Sequence, residues 1–69
     1  MEWSKFVQVM KIDERAARAK YLTAAKAANN DAIKDVFNKL AYEEEVHLAI
    51  LEKFERDLAK VLAAEKQDQ

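Results

Sequence analysis

Leu40-Ala41-Tyr42-Glu43-Glu44-Glu45-Val46-His47-Leu48-Ala49-Ile50-Leu51 is the stretch on which the reading of this chain turns. It holds the single histidine, with a carboxylate three residues before it. Side chains at i and i+3 share a helix face, so Glu44 and His47 point the same way. The apolar positions around them, Ile33, Val36, Phe37, Leu40, Leu48, Leu51, Phe54, Leu58 and Leu62, recur at helical spacing. Glu44 and His47 fall inside that stripe, where the spacing calls for apolar residues. An ionisable group buried without a partner is costly. A bound metal ion is the partner that best explains both residues.

Upstream, Asn29-Asn30-Asp31 is the one turn candidate. Asparagine tolerates the left-handed conformation that ends a helix, and Asp31 or Asn30 can cap the next one. The second helix is therefore predicted over about 32–64, with Glu65–Gln69 fraying. The first is predicted over about 4–28, with Ser4 as its N-cap. Its stripe reads Trp3, Phe6, Val7, Met10, Ala17, Tyr21, Ala24, Ala25 and Ala28, with one vacancy at Asp13 or Glu14. At about 100° per residue, Glu14 lies nearer the centre of the stripe than Asp13. Glu14 is the inward carboxylate. With no repeat, linker or second domain in sight, residues 1–69 read as one all-α, antiparallel two-helix hairpin.

The hairpin permits a geometric test. Reflecting Glu14 about the middle of the Asn pair lands beside Glu45, between Glu44 and His47. All three side chains then lie at one height, roughly 20 Å from the turn at about 1.5 Å of rise per residue. Two carboxylates and one imidazole, on the inner stripes of two helices, make Glu14, Glu44 and His47 the candidate metal ligands and the candidate catalytic residues.

Composition bounds the rest. The chain has 69 residues with no glycine, proline or cysteine, and Ala, Lys, Glu and Leu dominate, which favours long helices. Without cysteine there is no disulfide staple, thiolate zinc site or rubredoxin-type iron site. The formal net charge is −1 with both signs interspersed, so neither nucleic acid nor a membrane surface is an expected partner. No apolar run is long enough to span a bilayer. Met1–Met10 lacks the basic and apolar regions of a secretory signal, so a cytoplasmic location is expected. So short a chain rarely builds a sufficient core alone. Two amphipathic helices call for a homodimer in which four bury what two cannot. Val9, Ile12, Leu22, Tyr42, Val46 and Ile50 lie off the main stripes, which suggests contacts beyond that dimer.

The residues also resemble a known family. Glu14-Arg15-Ala16-Ala17-Arg18-Ala19-Lys20-Tyr21-Leu22 resembles the first metal-ligand helix of rubrerythrins, down to a tyrosine seven residues after the glutamate. Ala41-Tyr42-Glu43-Glu44-Glu45-Val46-His47 resembles the second. The likeness covers roughly residues 10–58 and places the chain near the ferritin-like di-iron superfamily. In such bundles two helices each give a Glu and two others each give a Glu-x-x-His. The resemblance implies that two copies of this hairpin form a ferritin-like four-helix bundle, with four Glu and two His around a di-iron centre shared between chains. Rubrerythrin-type domains carry four helices in one chain and this one carries two, with a shorter connection that lacks the usual glycine. Both departures are similar to encapsulated ferritins, half-ferritins that build their iron site across a subunit interface inside a protein shell. Nothing after Ala64 resembles their shell-targeting tail.

What the resemblance implies is ferroxidase chemistry, Fe(II) oxidation serving iron storage or detoxification. Manganese or zinc suits the same oxygen and imidazole ligands. A rubrerythrin-like peroxidase is the weaker enzymatic reading, because an electron donor would be needed and the chain has no rubredoxin cysteines. The competing class is a non-enzymatic helical interaction module whose polar stripe residues set pairing register. In it, His47 would simply bond Glu44 or a partner chain, and Glu14 would pair with Arg18 at i+4. Tyr21 is a core residue or a hydrogen-bonding neighbour of the site. Glu43 and Glu45 point away from Glu44 and read as solvated charge or as an iron entry path.

Overall fold

With nothing to interrupt either half, both halves run as helix. The computed structural model describes residues 1–67. They form α1, Trp3–Ala27, and α2, Asp31–Gln67, packed against each other as a hairpin. α2 has 37 residues and α1 has 25, so α2 outruns its neighbour by roughly 18 Å. The molecule is a rod of 57 × 16 × 14 Å. Among the described residues no helix is long and apolar enough to cross a membrane.

The helix ends differ in detail from the sequence expectation. α1 starts at Trp3 with Glu2 in the N-cap position, and no side chain caps it. Ser4 lies inside the first turn. The turn is drawn back because Trp3 and Phe6 pack edge to face, ring centroids 6.1 Å apart, while Phe6 N–H donates to the Glu2 carbonyl at 3.0 Å. The other end needs no left-handed residue, since no described residue has positive φ. Instead Ala28 is extended (φ −70°, ψ 131°), and its N–H reaches back to the Ala25 carbonyl at 3.4 Å. Asn30 then caps α2: its Oδ1 accepts from the N–H groups of Ala32 at 2.8 Å and Ile33 at 3.2 Å. Asp31 is the first helical residue, with its carboxylate in the first turn, where the helix dipole favours negative charge. Helix continues through Gln67, past the expected fraying point at Glu65. Asp68 and Gln69 lie outside the described residues.

The core is thin. Among the described residues Val7, Ala25, Ala41 and Leu58 are the buried hydrophobic side chains. Two of the four are alanines, so the seam between the helices is narrow and its apolar teeth are small. Large apolar side chains stay open to solvent, among them Trp3, Phe6, Ile33, Val36, Ile50 and Val61. Along α2 these belong to a second stripe, Ile33, Val36, Leu40, His47, Ile50, Phe54 and Val61, spaced by three, four or seven residues. That is the heptad-type spacing found along helix–helix seams.

Candidate metal centre

Glu14 projects from the middle of α1, and Glu44 and His47 project from the middle of α2. The hairpin brings all three together. One ligand atom from each lies within 4.8 Å of the other two. His47 Nδ1 is 3.3 Å from Glu14 Oε2 and 3.6 Å from Glu44 Oε2, so this ring nitrogen faces both carboxylates. The level match read from the turn is realised.

Burial is shallower than the stripe position implied. The side chains of Glu14 and Glu44 are 22% and 17% exposed, whereas His47 is 53% exposed. His47 sits on the outer stripe with Ile50 and Phe54, on a face that the single hairpin leaves uncovered. Next to it, Trp3, Phe6, Val7, Met10, Ile50, Leu51 and Phe54 line an apolar groove of about 310 Å³.

The electrostatics show the strain of an acidic pair. The Glu44 carboxyl is pushed above its ordinary value, first by the hydrogen bond it shares with Glu14, then by partial burial and by the Glu14 charge. His47 acts in the opposite direction but does not cancel the shift. Two carboxylates this close favour either a shared proton or a cation. The donors are two carboxylates and one imidazole without thiolate, a set suited to iron, manganese or zinc. The residues present therefore fit a bound metal ion.

The opposite face of the hairpin is polar. There Arg18 Nε donates to Glu45 Oε1 at 2.8 Å, and its Nη2 lies 2.6 Å from the same oxygen. Lys11 bonds Glu55 at 2.9 Å, and the Gln8 amide also donates to Glu55. Glu45 is thus paired rather than freely solvated, and Arg18 reaches across the seam instead of pairing with Glu14 on its own helix. These cross-helix pairs were not anticipated from sequence. The signal was present in the positions of Arg18 and Glu45 beside the ligands, but not the rotation that joins them. Glu43 and Asp13 are exposed. Tyr21 stacks on Phe37, centroids 6.3 Å apart, with the Lys20 ammonium 5.1 Å from its ring centre. Its hydroxyl makes no hydrogen bond to Glu14 within the hairpin.

Against known families, the rubrerythrin model matches residues 6–69. The chain belongs to the rubrerythrin family. Membership makes it a ferritin-like helical protein, from a family that typically binds iron. The match takes in both segments that carry Glu14, Glu44 and His47, and extends beyond the 10–58 region where the resemblance was read. No curated protein and no solved structure matches the chain.

Proposed function

We propose that two copies of this rubrerythrin-family hairpin pack through their open faces and hold a di-iron centre that oxidises Fe(II). The observation that carries this reading is the convergence of Glu14, Glu44 and His47 on a face lined by uncovered apolar side chains. One hairpin offers two carboxylates and one imidazole, too few for two metals. A two-fold pair offers four carboxylates and two imidazoles, the inventory of a ferritin-like di-metal site. Glu14 and Glu44 offset the positive charge of the ions, and His47 Nδ1 supplies the nitrogen ligand. The apolar rim excludes water once a partner covers it, which strengthens every charge interaction inside. Fe(II) enters as substrate, and two ions give two electrons that, with two protons from solvent, reduce one dioxygen to hydrogen peroxide or one hydrogen peroxide to two waters. Manganese and zinc compete for the same ligands. The role is iron detoxification, or storage inside an enclosing protein shell in the manner of encapsulated ferritins, with the protein in the cytoplasm or in such a compartment.

Stopped-flow absorbance after aerobic mixing with Fe(II) tests the proposal. Expected is a fast phase saturating at two irons per dimer, blocked by prior zinc and absent from the Glu44→Ala and His47→Ala proteins. Oxidation no faster than in a protein-free control would reject it and favour the helical interaction module.

A further inference from the structure

Glu14 has a competitor for its carboxylate on its own helix. Arg18 stands four residues further along α1, where an acidic side chain and a basic one pair readily. In the hairpin it does not do so. Its guanidinium turns across the seam and places Nε and Nη2 at 2.8 and 2.6 Å from one oxygen of Glu45. Glu45 is the residue after the ligand Glu44, on the side of α2 away from the open face. We infer that Glu45 is a positioning residue: by holding Arg18 on the polar face it keeps the guanidinium off Glu14 and leaves that carboxylate free for metal.

Three observations support the assignment. Glu14 has its ion-pair contact with His47 and none with Arg18. Arg18 meets one oxygen of Glu45 through a hydrogen bond from Nε at 2.8 Å and a close contact of Nη2 at 2.6 Å, so its guanidinium is directed to Glu45 and not to Glu14. Both side chains remain partly exposed, 43% for Arg18 and 47% for Glu45, which leaves the guanidinium room to swing back if Glu45 is removed. An arginine on Glu14 would occupy a ligand oxygen and add positive charge beside the incoming ion. The inference rests on the metal-binding reading above and adds to it a residue that touches no ligand atom.

The test is Co(II) binding, followed by absorbance titration on the full chain at low ionic strength, with helicity checked by circular dichroism. Glu45→Ala is expected to weaken Co(II) binding about two- to fivefold, the range that helix-surface ion pairs of this strength convert to. Arg18→Ala is expected to bind at least as tightly as the parent. The double variant, Arg18→Ala with Glu45→Ala, is expected to recover parental affinity, because the competitor is gone. Raising the salt should shrink the Glu45→Ala defect by screening the freed arginine. A cross-helix brace without this competition predicts the reverse: both single variants weaken binding and the double is no better. That result overturns the inference while leaving the metal site standing. A parent protein that takes up no Co(II) overturns both.

Discussion

At the scale of single residues the centre is a compromise between stability and binding. In the metal-free hairpin the Glu44 carboxyl is held above its ordinary value by its hydrogen bond with Glu14, by partial burial and by the Glu14 charge, so its ionised form is disfavoured. Glu44→Gln should therefore melt at a higher temperature than the parent in chelator at neutral pH, yet lose metal binding. His47→Ala should lose metal binding with little change in melting in chelator, since the ring is half exposed. Calorimetry with and without metal checks both, and a metal-free Glu44→Gln protein that melts lower than the parent would show that the pair is not repulsive. Glu55 behaves oppositely. Its hydrogen bond from Lys11, aided by that charge, holds its carboxyl below the ordinary range. A lowered folded pKa means stability that is fully present above the unfolded value, about 4.3, and lost as the pH falls through the folded one. Melting temperature should drop on acidification below about pH 4.3, and the drop should be smaller in Lys11→Met. Identical pH profiles for the two proteins would remove the Lys11–Glu55 pair from the account.

At the scale of the helices, the turn depends on one side chain. Asn30 Oδ1 satisfies two N–H groups at the start of α2, so Asn30→Ala should cost about 1 kcal/mol of stability. Asp31→Ala should cost less, because Asp31 contributes through the helix dipole and not as the cap. Urea unfolding of the two variants distinguishes them, and equal losses would mean that the cap bonds are not what holds the turn. Sequence periodicity found both helices to within a few residues, because Ala, Leu, Lys and Glu without Gly or Pro leave little choice. It also put Glu14, Glu44 and His47 at one level, as the hairpin does, since reflection about the turn needs only the rise per residue. It could not find the Arg18–Glu45 pair, which depends on how each helix rotates about its axis. Nor could it separate two seams. Ile33 and Phe37 read as one broad stripe, yet Phe37 stacks on Tyr21 while Ile33 stays open to solvent. The capping residue was legible only as a choice between two neighbours, because either side chain can reach the same N–H groups.

At the scale of the whole molecule, the four buried hydrophobic side chains among the described residues are a thin core for a rod 57 Å long. The uncovered stripe of α2 and the groove between Trp3 and Phe54 are where a second copy is proposed to pack, and His47 belongs to that stripe while Glu14 and Glu44 lie beside it, half-buried between the helices. Assembly and metal binding should therefore be linked. A metal that binds only the paired form stabilises it by about 2.7 kcal/mol at a hundred times its dissociation constant. Removing it from the proposed pair would leave four close carboxylates, whose charges destabilise the pair. Chelator should lower the melting temperature and shift sedimentation from dimer toward monomer, and Fe(II) added without oxygen should reverse both. Ile50→Glu places a charge on the same stripe, at a residue 61% exposed in the single hairpin that the proposed pair would cover. It should yield a monomer that binds metal weakly. Ile12→Glu carries the same change on the far side of α1, at a residue 63% exposed, and should leave the pair and its metal intact. The contrast between these two variants is what identifies the face. If both dissociate equally, or if melting curves with and without chelator superimpose, the centre is not shared between chains.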